Sequence, residues 1–175
     1  MKKIIKTLLL LIIATTLFLT LFVIDYNHNY SITNNKDSIE SSILSYFNNP
    51  IKQYSSVTIE DMKDIYNKKY LLCNIDNNLS SLVLTKGSNK KYKIDSSSIG
   101  NSFYTYEIDD SDNEHTLVLF IHNTNNQLSE VKIEINNEYI TKSIPDEEYS
   151  IITLPINEYV KKDYNLELNL DFEFL

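Results

Sequence analysis

The chain has 175 residues and a net charge of −8, with no arginine, no tryptophan and a single cysteine, so an intramolecular disulfide is excluded. From Asp25 onward 13 lysines stand against 24 acidic residues, a net charge of −11. This balance argues against nucleic-acid binding and predicts repulsion from an anionic membrane surface.

An uncharged apolar run, residues 7–24, follows a basic tip. Thirteen of its 18 residues are Leu, Ile, Val or Phe. At 1.5 Å per residue a helix of this length spans about 27 Å, close to the hydrocarbon thickness of a bilayer. Three lysines lie in the tip, residues 1–6, and every acidic residue follows the run. The positive-inside rule therefore predicts a single-pass anchor in the cell membrane, with a cytoplasmic N-terminus and an extracellular C-terminal domain.

A cleaved signal peptide, and hence a secreted protein, is the alternative for this run. The basic start suits a signal peptide, but the apolar run is longer than usual and no small-x-small cleavage pair follows Ile24. We therefore expect the segment to be retained as an anchor.

Residues 25–36 are polar and predict a short irregular stalk. Asp37 then matches a helix N-cap, and Glu40 completes a capping box three residues later. Pro50 ends the helical pattern, because the residue before a proline is disfavoured in the helical region. Between these limits the apolar residues recur at helical spacing: Ile39, Ile43, Leu44 and Phe47.

After this short helix the apolar residues alternate with polar ones, as in half-buried strands. Asp76-Asn77-Asn78 separates the segments 70–75 and 79–85 and is typical of a β-hairpin turn. We expect residues 37–110 to form an α+β module in which the helix precedes a β-meander.

Residues 113–175 predict a small immunoglobulin-like β-sandwich. The continuous apolar run 116–121 predicts a central strand buried on both faces, and Asn136-Asn137 predicts a hairpin. Residues 166–174 alternate five apolar residues with polar ones, the clearest strand pattern in the chain. The predicted fold class is α+β, mainly antiparallel β, and one larger β domain over residues 37–175 is the alternative to two modules.

One acidic turn contains the candidate metal ligands Asp110, Asp112 and Glu114. An EF-hand calcium loop needs Gly at its sixth position and Glu at its twelfth. Counted from Asp110, these positions hold His115 and Ile121. We therefore assign no metal site and keep the three carboxylates only as candidates for a calcium site of another kind.

No other residue pattern indicates chemistry. His115 and His122 lie seven residues apart on one predicted strand, so their side chains face opposite ways and do not share a metal. Cys73 falls in an apolar stretch, where a free cysteine is commonly buried. With only two glycines, neither a phosphate-binding loop nor a Gly-x-Ser-x-Gly elbow is available. No catalytic residue and no cofactor is predicted.

The sequence therefore favours a non-enzymatic binding or accessory protein, anchored in the membrane and acting on a protein or peptide at the cell envelope. Free strand edges would supply the recognition surface. The alternative is an immunity or regulatory subunit for an exported or membrane partner, because an acidic surface steers a basic partner toward it.

Overall fold

The computed structural model describes residues 2–100, 102–110, 114–159 and 168–174. Within them the chain forms two α-helices followed by ten strands that pair antiparallel. In chain order these are α1 (Lys2–Asn29), α2 (Lys36–Phe47), β1 (Val57–Ile65), β2 (Lys68–Ile75), β3 (Asn78–Lys86), β4 (Tyr92–Gly100), β5 (Tyr104–Asp109), β6 (Thr116–His122), β7 (Leu128–Ile135), β8 (Glu138–Ser143), β9 (Tyr149–Pro155) and β10 (Leu168–Phe174).

Helix α1 is long and apolar enough to span a membrane, and its apolar side chains are exposed. It continues beyond the predicted run to Asn29, so the prediction of an irregular stalk from residue 25 is wrong over its first five residues. Asn29 Nδ2 donates to Asp25 Oδ2 at 3.2 Å, and the rings of Tyr26 and Tyr30 stack with centroids 4.6 Å apart. Side-chain pairs four residues apart stabilise a helix, which accounts for the extension.

Helix α2 begins slightly earlier than predicted. Its N-cap is Asn35, whose side chain accepts a hydrogen bond from Ser38 N–H at 2.8 Å, so the prediction of Asp37 as the cap is wrong. Glu40 Oε1 accepts a hydrogen bond from the backbone N–H of Ile59 at 3.0 Å and thereby ties α2 to β1. In the predicted capping box this side chain would instead have bonded to the backbone N–H of the N-cap residue.

Strands β1 to β4 form a four-stranded meander, sheet A, in the order β1-β2-β3-β4. The predicted hairpin between β2 and β3 is confirmed: Asp76 and Asn77 have φ of 46° and 65°, the left-handed pair that a two-residue hairpin turn requires. Strand β4 extends to Gly100 through a serine-rich segment in which the sequence shows little apolar alternation.

The remaining strands form two three-stranded sheets. Sheet B has the order β5-β6-β9, and sheet C has the order β10-β7-β8. Asn136 and Asn137, with φ of 50° and 68°, make the predicted hairpin between β7 and β8. The connections from β6 to β7, from β8 to β9 and from β9 to β10 all cross from one sheet to the other.

The elements stack in four layers, with α2 on sheet A, sheet A on sheet B, and sheet B on sheet C. Three clusters of buried residues lie between successive layers. Strand β2 contributes to two of them, because Leu71 and Cys73 face α2 whereas Tyr70 and Leu72 face sheet B.

Strand β6 is likewise buried on both faces, as predicted. Val118 and Phe120 contact sheet A, while the alternate residues Leu117, Leu119 and Ile121 contact sheet C. All five side chains are inaccessible to solvent. A strand in the middle layer of a stack has no solvent face, which explains its unbroken apolar run.

The predicted class, α+β with an apolar N-terminal helix, one short helix and mostly antiparallel sheets, is confirmed. The finer assignment of an immunoglobulin-like sandwich is not established by this architecture. The division into modules 37–110 and 113–175 stays a prediction, and one of the three buried clusters joins sheet A to sheet B across it.

Strand β10 buries less than its pattern predicts. Leu168, Leu170 and Phe172 pack against the cluster between sheets B and C. The register shifts between Glu173 and Phe174, and Phe174 is left 65% exposed. The fifth apolar residue, Leu166, lies outside the described residues.

Candidate functional site

The candidate metal ligands have other partners in the structure. Asp110 Oδ1 lies 2.7 Å from His115 Nδ1, and Glu114 accepts a hydrogen bond from the Tyr66 hydroxyl. Asp112 lies outside the described residues. Among the residues that the structure describes, no three His, Cys, Asp or Glu side chains come close enough together to hold a metal ion.

A buried ion pair beside this turn was not predicted. The Asp109 carboxylate is inaccessible to solvent and lies 2.7 Å from Lys68 Nζ, which joins sheet B to sheet A. Burial raises the pKa of the Tyr70 phenol, and its charge interaction and hydrogen bond with Asp109 raise it further. The Lys68–Asp109 ion pair is a structural link between sheets A and B. Its only trace in the sequence is an acidic residue at the end of a predicted strand.

The remaining residues singled out from the sequence have structural partners. The His122 ring stacks on Tyr149 with centroids 4.6 Å apart, and its Nε2 lies 3.4 Å from Glu148 Oε1. His115 lies just before the opposite end of β6. Cys73 is fully buried, and burial raises the pKa of its thiol, so the nucleophilic thiolate is disfavoured.

The end of α1 docks on the turn between β3 and β4. Ser88 N–H donates to Tyr26 Oη at 2.6 Å. Asn89 Nδ2 donates to Asn27 Oδ1 at 3.1 Å and to the carbonyl of Tyr30 at 3.0 Å. We call this contact the α1 seam, and it holds the end of α1 against sheet A, in the region where an irregular stalk was predicted.

Close backbone approach at the α1 seam depends on Gly87. A Cβ at this position would lie 2.4 Å from Tyr26 Oη and 2.7 Å from Tyr30 Cδ1. Gly87 has no positive φ, so the requirement for glycine is one of space alone. The sequence marks Gly87 as a turn residue but contains no signal for the segment that packs on it.

A groove of about 510 Å³ opens beside the α1 seam, between α2 and β4. Three hydroxyl side chains of α2, those of Ser41, Ser42 and Ser45, line it together with Lys93 of β4. Ile32, Tyr46 and Ile94 add apolar surface to this lining.

An exposed aromatic cluster lies at one lateral edge of sheets B and C. The Phe103 ring contacts Phe172 and Phe174 with centroids 5.1 Å and 6.4 Å apart, and Tyr104 lies 4.7 Å from Phe172. Strand β10 pairs with β7, and its other edge has no strand partner among the residues that the structure describes. We call this surface the aromatic edge.

The outer face of sheet C is acidic. Its strands β7 and β10 present four carboxylates and one lysine to solvent: Glu130, Glu134, Asp171, Glu173 and Lys132. Lys132 forms an ion pair with Glu173. The face therefore carries a net negative charge next to the aromatic edge.

Comparison of the chain with models of known protein families, with curated proteins and with solved structures gave no match.

Proposed function

We propose that this protein is a non-enzymatic binding protein of the cell envelope, anchored by α1 and displaying its β-rich domain outside the cytoplasm. The observation that carries the proposal is α1 itself. Its side chains from residue 5 to residue 25 are exposed, while its last turn is fastened to the folded domain by the α1 seam. Exposed apolar helix surface of this extent requires an apolar surrounding, which a bilayer supplies.

The charges at the two ends of α1 support the membrane assignment and its orientation. Lys6 and Asp25 bracket the apolar run. The 19 steps between them correspond to about 28 Å of helix, the thickness of the hydrocarbon core. Lysines precede the run and carboxylates follow it, which favours a cytoplasmic N-terminus.

A topology experiment tests the anchor. The full chain carries one epitope tag at each end, and intact cells are treated with external protease. We expect removal of the C-terminal tag alone, and a membrane-bound protein whose N-terminus precedes the apolar run. Recovery from the medium of a mature form beginning after Ile24 would instead establish the secreted alternative, and removal of the N-terminal tag by the external protease would refute the orientation.

We infer that sheets B and C together form an immunoglobulin-like sandwich. The orders β5-β6-β9 and β10-β7-β8 correspond to strands A-B-E and F-C-C′ of that fold, which supports the assignment. In this correspondence the free edge of β10 is the edge at which strand G pairs with strand F.

The aromatic edge is the binding surface in this proposal, and its occupant is an extended basic segment of a protein partner. A free strand edge binds an extended peptide through backbone hydrogen bonds, and neighbouring side chains select its sequence. Phe103 and Phe174 are partly exposed and supply apolar contact area. Asp171 and Glu173 alternate with the apolar residues of β10 and complement lysine or arginine in the added strand.

Site-specific photocrosslinking tests the binding surface. A benzophenone side chain replaces Phe174 in one variant and Tyr139 in a matched control, because Tyr139 is 73% exposed on β8 at the opposite edge of sheet C. We expect one protein to crosslink from position 174, to fail from position 139, and to be lost when Asp171→Lys is added. Equal capture from both positions would contradict the proposal.

The acidic outer face of sheet C favours a second candidate, an immunity or regulatory subunit that binds a cationic exported protein. Such binding would depend on long-range charge, so its association rate would fall steeply with ionic strength. Strand addition at the aromatic edge would retain most of its affinity in 0.5 M salt. Affinity measured at two salt concentrations separates the two candidates.

A further inference from the structure

The turn between β3 and β4 concentrates positive charge in an acidic domain. Four lysines lie among residues 86–93, and no carboxylate lies among them: Lys86, Lys90, Lys91 and Lys93. The rest of the chain from Asp25 onward has nine lysines against 24 acidic residues. The surface of this turn is therefore positively charged, although the net charge of the domain is negative.

Three of these lysines are available to a ligand. Lys86, Lys90 and Lys91 are exposed. Lys93 is engaged, because its Nζ lies 5.5 Å from the centroid of the Tyr30 ring and 3.5 Å from Asp95 Oδ1.

The α1 seam sets the height of this turn relative to the bilayer. Ser88 and Asn89 line a cleft of about 340 Å³ together with Phe22 and Val23, two of the last apolar residues of the predicted anchor. Tyr26, one turn further on, bonds to the Ser88 amide. Tyrosines at this position are typical of the membrane–water interface. With α1 as the proposed anchor, the turn lies where the hydrocarbon ends and the lipid headgroups begin.

We propose that the β3–β4 turn binds anionic phospholipid headgroups of the membrane that α1 spans. The inference rests on the proposed anchor and goes beyond it, because it assigns the domain a second contact with the bilayer. The α1 seam brings Lys86, Lys90 and Lys91 to headgroup level, where lysine ammonium groups attract phosphate. Each lysine within a Debye length of an anionic surface strengthens such a contact by a factor of about five.

This contact orients the domain on the membrane. The acidic outer face of sheet C lies on the far side of sheet B from sheet A, whose β3–β4 turn supplies the lysines. Attraction at the turn and repulsion of the acidic surface therefore favour one orientation. The net charge predicts that the whole domain is repelled by an anionic bilayer. In the proposed orientation the basic turn instead contacts the bilayer, and the acidic face of sheet C points away from it.

Lysine acylation in vesicles tests the proposal on the full chain. The protein is reconstituted in vesicles of neutral phosphatidylcholine, or of phosphatidylcholine with 30% phosphatidylglycerol, and treated with a membrane-impermeant acylating reagent. Mass spectrometry gives the rates at Lys86, Lys90 and Lys91, with exposed Lys52 and Lys142 as internal references. We expect acylation of the turn lysines, relative to the references, to be at least fivefold slower in the anionic vesicles at low salt and to recover in 0.5 M NaCl.

Two variants with equal charge change provide the control. In K90Q/K91Q the protection of Lys86 should fall toward its value in neutral vesicles, whereas in K52Q/K142Q it should be unchanged. Equal relative rates in both vesicle types, for a protein that floats with the vesicles, would overturn the headgroup contact and leave the anchor standing. A wild-type chain that does not float with the vesicles would overturn the anchor and the contact together.

Discussion

Replacing Gly87 with alanine should detach the end of α1 from sheet A. The added Cβ would lie 2.4 Å from Tyr26 Oη and 2.7 Å from Tyr30 Cδ1, so both tyrosine rings have to move away from the turn. The Tyr26 hydroxyl bonds to the Ser88 amide at 2.6 Å and to Ser88 Oγ at 3.1 Å, so this movement breaks two hydrogen bonds. Loss of two hydrogen bonds, at about 1 kcal/mol each, reduces the docking equilibrium about 30-fold.

Amide hydrogen exchange of the full chain in detergent measures this change. In Gly87→Ala the amide of Ser88 should exchange about 30-fold faster, while amides of β6 keep their wild-type protection because no buried cluster includes the seam residues. Gly100→Ala is the matched control, since the nearest atom to a Cβ there, Ser102 N, is 3.9 Å away. Unchanged exchange at Ser88 in Gly87→Ala would refute the close packing of the α1 seam.

Three further predictions concern the folded domain. Hydrogen bonds from the backbone and side chains of Ser55 and Ser56 lower the pKa of Asp76 from 3.8 to about 2. The contribution of Asp76 to the free energy of unfolding should therefore be complete above pH 4 and lost as the pH falls toward 2. Denaturant unfolding of wild type and Asp76→Asn across this pH range measures the contribution, and a stability difference independent of pH would contradict the pKa assignment. Asp109→Asn removes the buried carboxylate that pairs with Lys68 and should lower the free energy of unfolding by about 3 kcal/mol, whereas Lys68→Met/Asp109→Leu should restore most of the loss. A single variant as stable as wild type would show that the pair is not buried. Cys73 should react with a maleimide only at the rate of unfolding, and rapid labelling of the native protein would disprove its burial.

Local signals in the sequence predicted the hairpin turns and the burial of β6, although they placed the N-cap of α2 at Asp37 where the structure has Asn35. The Asp76-Asn77 and Asn136-Asn137 turns are correct because asparagine and aspartate tolerate the left-handed backbone that these hairpins need. The burial of β6 on both faces is correct because an unbroken apolar run has no polar side to give to solvent. Both signals lie within a few residues of the structure that they specify.

Features that depend on distant segments were not predictable in this way. The Lys68–Asp109 pair joins residues 41 positions apart, and the α1 seam joins Tyr26 to a turn 62 positions away. The local sequence around a polar residue does not show which distant residue it will contact in the fold. The sequence therefore showed no sign that Tyr26 packs against the β3–β4 turn.

Strand β10 shows the limit of a periodic pattern. Alternation identified the strand and its inward face correctly through Leu168, Leu170 and Phe172. It could not reveal the register shift after Glu173, which leaves Phe174 largely exposed. The alternation of apolar residues shows which side chains lie on the same face of a strand. Whether those side chains are buried depends on the residues that pack against that face.

The four-layer stack has a consequence for the order in which the chain can fold. The cluster between α2 and sheet A joins residues 32 to 92 and is complete early in synthesis. The opposite face of sheet A, with Tyr70 and Leu72, waits for residues 118 to 151 to emerge and cover it. Until then the nascent sheet A exposes an apolar surface, and such surfaces are prone to aggregation.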